Sequence, residues 1–333
     1  MERRLVGRSG LELSRLGLGT LGFGRDVDQH EAREMVAAFV DAGGNWLDTS
    51  DEYSAGQSEE LVGILAAEVA AAGLELLIAT KSGGRPGADR RYNSSRAHLL
   101  TALDASLSRL GCDHVDLWQL QVRDPLTPIE ETLAAADFAV SSGRVRYVGL
   151  SNYSGWQTAE ATTWQRALPA RVDLVANQVE YSLLQRGIER EVAPALKNFE
   201  MSILAWSPLG RGVLTGKYRH GTPPDSRGAS SRLPSFVERY LGPEPRRIVD
   251  AVCTAAEGLG ITPLEVALSW VRDREGVAAA VVGPRTTMQL RGVLETEEVE
   301  LPVEIREVLD EISAPERDYP EVGWTQATNS AGA

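Results

Sequence analysis

The sequence is poor in cysteine and histidine. Its 333 residues include only 2 cysteines, Cys112 and Cys253, which stand in unrelated contexts, and 4 histidines. Two isolated cysteines exclude a disulfide framework and give no metal-binding spacing. We therefore expect no metal site, and we expect a reducing, cytoplasmic setting.

Basic runs and long apolar runs are absent as well. The formal net charge is -13 and the pI is about 4.9, so neither nucleic acid nor an anionic membrane is an expected partner. No apolar stretch approaches the roughly 20 residues that span a bilayer. The first residues, MERRLVG, lack the apolar core of a signal peptide. The oligomeric state stays open, because an acidic surface suits a monomer as well as a ring of protomers.

Lysine is also scarce, since only Lys81, Lys197 and Lys217 accompany the many arginines. Wherever a cation alone suffices, this chain uses arginine. Lys81 closes a short apolar segment, LIATK at residues 77–81. Its retention there indicates that the position requires a compact ammonium group with a tunable pKa.

A second apolar segment, WLDTSDEY at residues 46–53, also ends in polar and ionisable groups. Both segments predict buried strands, so Asp48 and Lys81 would lie at strand ends and Tyr53 in the loop beyond. Opposite charges in a dry cleft can lower the pKa of a phenol from its usual value of about 10. We expect this of Tyr53, which could then protonate a carbonyl oxygen. The alternative is an ordinary Asp–Lys pair.

Strand and helix signals alternate along the chain. After a hairpin around residues 7–10, we predict strands at residues 14–19, 45–48, 74–81, 114–120, 145–150, 174–177, 202–206 and 277–282. We predict helices at residues 29–42, 58–71, 93–110, 128–141, 155–165, 188–199, 246–258, 263–272 and 287–294. A long stretch without periodicity follows the seventh strand.

Eight strand–helix units in one chain predict an α/β fold, the (β/α)8 TIM barrel. We expect residues 1–326 to form a single barrel domain and residues 327–333 a disordered tail. A doubly wound sheet is the alternative. It requires a glycine fingerprint after the first strand, and the GLG and GFG sequences at residues 17–24 lack the spacing and the helix.

Polar and aromatic candidates fall where predicted strands enter their following loops, the face that carries active sites in this fold. Taken singly, several have ordinary explanations: Ser151 and Asn152 could cap a helix, and Trp206 could belong to the core. Their joint placement favours function. The candidates are Asp48, Tyr53, Lys81, Gln121, Ser151, Asn152, Gln178, Trp206 and Gly283.

At these positions the chain resembles the aldo-keto reductases, over about residues 3 to 315. The resemblance is carried by LDTSDEY (47–53), IATK (78–81), VGLSNY (148–153), NQVEYSLL (177–184), AWSPLG (205–210) and GPRT (283–286). One such segment would be weak, whereas the ordered set is specific. The chain is most similar to the branch that contains bacterial reductases and potassium-channel β subunits.

This resemblance implies a role for each matching residue. Tyr53 would be the general acid, Lys81 would lower its pKa, and Asp48 would hold Lys81. The carboxamide of a nicotinamide cofactor would be held by Ser151, Asn152 and Gln178, whose side chains offer both donors and acceptors. Trp206 would stack on the nicotinamide ring.

The resemblance also implies how the rest of the cofactor is held. The expected contacts are Gly19, Thr20 and Leu21 over the nicotinamide side; Ser207, Pro208, Leu209, Gly210 and Gly212 with Lys217 and Arg227 at the pyrophosphate; and Gly283, Arg285 and Gln289 at the adenosine. A guanidinium suits a 2′-phosphate through forked hydrogen bonds. Arg285 therefore favours NADPH over NADH.

The sequence departs from the family pattern at two places. Gln121 stands where the family usually has a catalytic histidine; we interpret it as an uncharged donor to the developing oxyanion. Gly292 and Val293 replace an acid and an amide that often contact the adenine, so we expect looser cofactor binding.

The predicted function is NADPH-dependent reduction of an aldehyde or ketone, a small-molecule carbonyl substrate. The expected pocket walls are Phe23, Trp118 or its neighbours, Val122, Arg123, the segment 210–245 with Phe236 and Tyr240, and the tail with Tyr319 and Trp324. Nothing selects among aldehydes, quinones, keto-sugars and polyketide ketones. Two alternatives stay open: a cofactor-binding sensor or regulatory subunit with slow or no turnover, and a redox-neutral sugar dehydratase or epimerase.

Overall fold

Eight parallel strands close into a barrel in the computed structural model, which describes residues 1–224, 226–229 and 237–316. Each strand pairs with the next one along the chain, and the last pairs with the first. The predicted (β/α)8 barrel is confirmed, and the doubly wound alternative is wrong. The barrel strands are β3 (Leu16–Gly19), β4 (Trp46–Asp48), β5 (Leu77–Ser82), β6 (Val115–Leu120), β7 (Val145–Ser151), β8 (Leu174–Glu180), β9 (Ser202–Trp206) and β10 (Val277–Val282).

Helices surround the barrel and bury their apolar stripes on it, as the buried Met35, Val36 and Phe39 of the first helix show. Strands covered on both faces become continuously apolar; every residue of β10 is buried. The helices are α1 (Gln29–Asp41), α2 (Gln57–Ala71), α3 (Arg96–Leu110), α4 (Ile129–Ser141), α5 (Gly155–Arg166), α6 (Val192–Asn198), α7 (Pro243–Leu259), α8 (Pro263–Arg272), α9 (Thr287–Leu294) and α10 (Val303–Ile312).

An antiparallel hairpin of β1 (Arg3–Leu5) and β2 (Glu12–Ser14) lies at the amino-terminal end of the barrel. The Trp46 indole fills the space beside it and donates to the Ser14 carbonyl at 3.0 Å. Gly17 is required there, because a Cβ at this position would lie 2.1 Å from the Trp46 ring. This end of the barrel is therefore filled, and function belongs at the other end.

The predicted first strand, residues 14–19, is two elements. Ser14 ends β2, where its backbone N–H donates to Asn45 Oδ1 at 2.7 Å. The chain then breaks at Arg15, whose guanidinium bonds Glu297 at 3.0 Å, before β3 begins at Leu16. Side-chain partners from distant segments impose this break, and local periodicity does not report them.

Other predicted boundaries are wrong as well, and the strand predicted from residue 74 begins at Leu77. The predicted strand at residues 174–177 extends to Glu180, so that Gln178 lies inside β8. The predicted helix at residues 188–199 is a 3-10 turn, Gly187–Glu189, followed by the short α6. Pro194 explains this start, because a helix tolerates proline only in its first turn.

Among the described residues, no single helix is long and apolar enough to cross a membrane. Helices α7 and α8 reach the necessary length and apolarity only when taken together, and the two are bent by 104° relative to each other. Both contribute side chains to the core, including the buried Val252 and Trp270.

Candidate active site

A cavity of about 500 Å³ opens at the carboxyl ends of the barrel strands. We call the part lined by the buried Asp48 and Lys81, with Tyr53 and Gln121, its buried end, and the part lined by the half-buried Arg285 and the exposed Gln289 its open end. Most predicted site residues line it: Gly19, Leu21, Asp48, Tyr53, Lys81, Gln121, Ser151, Asn152, Gln178, Trp206, Ser207, Pro208, Leu209, Gly212, Lys217, Gly283, Arg285 and Gln289. The structure thus brings together residues from all parts of the chain.

A buried ion pair defines the buried end. Lys81 Nζ lies 2.7 Å from Asp48 Oδ2, with 2% and 3% of the two side chains exposed, and it donates also to the Thr49 carbonyl at 2.7 Å. Burial lowers the pKa of Lys81, but the charges of Asp48 and Tyr53 outweigh it, so the pKa is raised overall. Lys81 is therefore a fixed cation at neutral pH.

The second oxygen of Asp48 accepts two amide groups. Gln178 Nε2 donates to Asp48 Oδ1 at 2.7 Å, and Gln119 Nε2 donates to the same atom at 3.2 Å. Gln119 was not predicted, although the two-residue alternation of a strand places it on the same face as Gln121. Its register partner is Lys81. Asp48 is thus held by side chains from three other strands, β5, β6 and β8.

Tyr53 follows β4 in a short 3-10 turn, Tyr53–Gly56. Lys81 Nζ lies 5.0 Å from the centroid of its ring. Burial raises the pKa of Tyr53 and outweighs the lowering by Lys81. The expected lowering of the Tyr53 pKa is right for the contribution of Lys81 and wrong for the net shift. Burial removes more stabilising hydration from the phenolate than the Lys81 ammonium replaces. The phenol keeps its proton at neutral pH.

Gln121 lies beyond the end of β6, where its backbone N–H donates to the Ser82 carbonyl at 3.0 Å. Its Oε1 accepts from Ser50 Oγ at 3.5 Å. With Oε1 directed at Ser50, the amide nitrogen is the part of the side chain that can donate to an oxygen in the cavity. This orientation suits an uncharged hydrogen-bond donor beside Tyr53.

Polar groups along the middle of the cavity hold one another in place. Asn152, with a left-handed φ of 58°, donates through Nδ2 to Ser151 Oγ at 3.0 Å and to the Gln121 carbonyl at 3.2 Å. Its Oδ1 accepts from Trp206 Nε1 at 3.0 Å. The cap of α5 is Ser154, so Ser151 and Asn152 are not needed as a helix cap.

The segment after β9 forms a backbone concavity. Successive positive φ angles occur at Gly210 (54°), Arg211 (61°) and Gly212 (90°), after Ser207 at 53°. The N–H groups of Gly210 and Gly212 donate within this turn, to the Ser207 and Leu209 carbonyls at 2.9 Å. A Cβ at Gly212 would lie 3.2 Å from Lys217 Nζ, so the ammonium adjoins this backbone and adds positive charge to it.

Arg211, which also lines the cavity, ties this segment to β8. Its guanidinium bonds both oxygens of Glu180, at 3.1 and 3.0 Å, and Tyr240 donates to Glu180 at 2.8 Å. Tyr240 is 3% exposed. The aromatic residue predicted for a substrate wall therefore supports the segment after β9.

The open end is formed by the start of α9. Thr286 caps this helix by accepting from the Gln289 N–H at 3.2 Å, and Gln289 Oε1 accepts from the Arg285 N–H at 2.9 Å. One turn later, a Cβ at Gly292 would meet none of the described residues within 4 Å. The neighbouring Val293 lines the cavity.

Several predicted residues lie elsewhere. Thr20 is fully buried, with its hydroxyl 3.1 Å from the Asp48 carbonyl oxygen, and Gly210 packs on Leu184; neither lines the cavity. Phe23 and Trp118 are fully buried core residues. Motif membership does not give side-chain direction, which explains these errors. Arg227 begins the 3-10 turn Arg227–Ala229, but its side chain, Phe236, Tyr319, Trp324 and the tail 327–333 lie outside the described part.

The structure adds lining residues that the sequence did not single out: Arg211, Thr215, Leu264, Val281, Val282 and Pro284. The two valines end β10, whose uniformly apolar sequence gave no signal that they line the cavity. Across residues 1–224, 226–229 and 237–316, no group of three or more His, Cys, Asp or Glu side chains is arranged to hold a metal ion.

Comparison with known proteins finds relatives that match nearly the whole chain. A model of the Aldo/keto reductase family matches residues 15–314. A probable voltage-gated potassium channel subunit beta of Oryza sativa subsp. japonica is 33% identical, over 96% of this chain and 98% of the rice protein. Its counterpart from Arabidopsis thaliana is 33% identical over 94% of this chain and 95% of its own. The uncharacterized oxidoreductase YrpG of Bacillus subtilis is 32% identical over 96% of this chain and 99% of its own.

Proposed function

The chain belongs to the aldo/keto reductase family of oxidoreductases, and we propose that it reduces an aldehyde or ketone to an alcohol with NADPH. The relatives also confirm the predicted branch, which joins bacterial oxidoreductases and potassium-channel β subunits. The single observation that carries the proposal is the buried Asp48–Lys81 pair beside Tyr53 at the closed end of a long cavity.

The cavity suits a dinucleotide in the chemistry of its lining. Bound NADPH would supply the hydride. Gln178, whose amide nitrogen is engaged by Asp48, would accept from the carboxamide N–H₂, and the Ser151 hydroxyl would donate to the carboxamide oxygen. The ammonium of Lys217, which adjoins the turn around Gly212, would attract the pyrophosphate.

Tyr53 would supply the proton. Its raised pKa keeps the phenol protonated at neutral pH, which is the form that a general acid needs. When the phenol releases its proton to the carbonyl oxygen, the fixed cation of Lys81 stabilises the phenolate that forms. Asp48 in turn keeps Lys81 in place through the 2.7 Å contact.

Gln121 would act on the same carbonyl oxygen. An amide N–H aimed at developing negative charge stabilises it without a change of protonation state. Tyr53 and Lys81 would therefore set the pH dependence of the chemical step, with no contribution from a histidine.

The test is NADPH consumption by the wild type and by Tyr53→Phe across aldehydes, ortho-quinones and ketones. We expect the wild type to oxidise NADPH with at least one of these and Tyr53→Phe to fail while still binding NADPH. Equal turnover by the two proteins would remove Tyr53 as the acid.

A second candidate is a cofactor-binding regulatory subunit with slow or no turnover. The amide at Gln121 and the names of the two plant relatives favour it; the complete Asp48, Lys81 and Tyr53 arrangement favours the enzyme. NADPH binding without consumption by the wild type would support this candidate. Conversion of a sugar without net consumption would support the redox-neutral dehydratase or epimerase.

A further inference from the structure

The turn that carries Tyr53 has an unusual backbone. Three successive residues after Tyr53 are left-handed: Ser54 (φ 51°), Ala55 (φ 55°) and Gly56 (φ 94°). Residues other than glycine adopt this conformation at a cost in free energy, and it persists only where the surroundings impose it. Contacts outside the turn must therefore fix the position of Tyr53.

One such contact comes from the first barrel segment. Ser54 Oγ donates to the Phe23 carbonyl at 2.8 Å. This holds one side of the turn against the loop after β3. It does not connect Tyr53 to the strand that carries Lys81.

The opposite side of the turn rests on Arg109 of α3. A Cβ at Gly56 would lie 2.8 Å from Arg109 Cδ and 2.9 Å from Nε. Glycine is therefore needed at this position both for its backbone angle and for the close approach of the arginine side chain. Arg109 does not line the cavity.

Arg109 is anchored in turn by Glu59, in the first turn of α2. The Glu59 carboxylate is fully buried; its Oε2 accepts from Arg109 Nε at 2.7 Å, and its Oε1 accepts from Thr80 Oγ1 at 2.6 Å. Thr80 directly precedes Lys81 in β5. One carboxylate thus joins the turn of Tyr53, the strand of Lys81 and the helix of Arg109.

We propose that Arg109, through Glu59 and its contact with Gly56, is a positioning residue that holds Tyr53 in place beside Lys81. The role in turnover rests on the proposed reductase function. The position of Tyr53 relative to Lys81 is a property of the folded chain, and its effect on the Tyr53 phenol can be measured without a carbonyl substrate.

The first experiment compares Arg109→Ala with Arg109→Lys and with a matched control, Arg33→Ala. Arg33 bonds Glu68, toward the other end of α2, at 2.7 Å through both Nε and Nη2. We expect Arg109→Ala to lower kcat by about 10²-fold, the effect of a misplacement on the order of 1 Å, with an unchanged Kd for NADPH. Arg109→Lys should recover part of this loss, and Arg33→Ala should match the wild type.

Arg109→Ala leaves Glu59 buried without its cation and can fail to fold for that reason alone. The double variant Glu59→Gln/Arg109→Met removes both charges and keeps most of the volume. We expect it to fold and to show the same loss of kcat. Wild-type kcat in a folded double variant would overturn the proposal.

The second readout is the ionisation of the Tyr53 phenol, followed by near-ultraviolet absorbance as the difference between each protein and its Tyr53→Phe counterpart. Burial is the largest cause of the raised pKa of Tyr53. A loosened turn should therefore bring this pKa down toward about 10 in the Arg109 variants and not in Arg33→Ala. An unchanged phenol titration overturns the proposal. A wild type that consumes no NADPH counts against the proposed function, and the titration still decides the role of Arg109.

Discussion

Asp48, at the buried end of the cavity, accepts hydrogen bonds from Lys81, Gln119 and Gln178 on three different strands. Arg285, at the open end, lies just before the first turn of one helix, and open space adjoins Gly292 one turn further along. The buried end is thus fixed by hydrogen bonds from several strands, whereas the open end is formed by the start of a single helix.

This difference separates chemistry from affinity. Groups at the buried end are fixed by several strands, so that a small displacement affects the reacting atoms. In the proposed function, groups at the open end would touch the part of the dinucleotide that does not react, and changes there should alter binding without altering the chemical step. Each prediction below tests this separation, beginning with the largest expected effect.

The three lysines lie in different surroundings: Lys81 at the buried end of the cavity, Lys217 beside the turn at Gly212, and Lys197 on the exposed surface. Lys81→Met should lower kcat by about 10²–10⁴-fold, the usual range for losing general acid–base assistance, with NADPH still bound. Lys217→Met should raise the Kd for NADPH and leave kcat unchanged. Lys197, an exposed partner of Glu275, provides the control, since Lys197→Met should change neither. A Lys81→Met enzyme with wild-type kcat would break the comparison.

Asp51, between Asp48 and Tyr53 in the sequence, should make the stability of the folded protein depend on pH. Burial, reinforced by Glu59 and Glu52, raises the pKa of Asp51 to about 7, above the value of about 3.9 for an unfolded chain. The native state then binds a proton that the unfolded state lacks, so stability falls as pH rises through this window. At about 1.4 kcal/mol per pKa unit, the fall has an upper limit of roughly 4 kcal/mol.

Asp51→Asn should flatten this decline, as measured by urea unfolding at several pH values between about 4 and 8. Asp89→Asn, at an exposed aspartate, serves as the control and should keep the wild-type slope. A slope in Asp51→Asn as steep as in the wild type would show that Asp51 does not titrate in this range.

Arg285→Ala addresses the open end. Losing a guanidinium that faces a 2′-phosphate should raise the Kd for NADPH about tenfold, or about 1.4 kcal/mol. The Kd for NADH should stay the same, since that cofactor lacks the phosphate. Titration of both cofactors by the quenching of tryptophan fluorescence measures the ratio. Equal weakening of both would mean that Arg285 does not read the phosphate.

Gly292→Glu should give the smallest effect, a few-fold tighter binding of NADPH, with kcat unchanged. The open space beside Gly292 can accept the longer side chain. Gly292→Ala is the necessary control, because replacing glycine with alanine by itself stabilises a helix by about 1 kcal/mol. If Gly292→Ala tightens binding as much as Gly292→Glu, the gain comes from the helix and not from a contact with the cofactor.

The sequence predicted the residues whose chemistry is unusual for their position. Asp48 and Lys81 were found because ionisable groups at the ends of apolar strands are rare without a function. Gln119 was missed because one amide in an apolar strand acquires meaning only when its partner, Asp48, is located in space. Periodicity also gave the barrel, but not the break at Arg15, which depends on Glu297 from the far end of the chain.

The pKa of Tyr53 shows a second limit. The neighbouring charge could be inferred from the motif, whereas the opposing effect of burial depends on how many atoms surround the phenol. Likewise, Thr20 lies next to two residues that line the cavity, and only the backbone geometry shows that its side chain turns toward Ser58.

The most direct test of the account is a single turnover at the buried end, with enzyme saturated with NADPH and mixed with a carbonyl compound that the wild type reduces. We predict that Tyr53→Phe oxidises NADPH at least about 10²-fold more slowly than the wild type, whereas Arg285→Ala, once saturated, reacts at the wild-type rate. Equal rates for Tyr53→Phe and the wild type would contradict the assignment of Tyr53 as the proton donor.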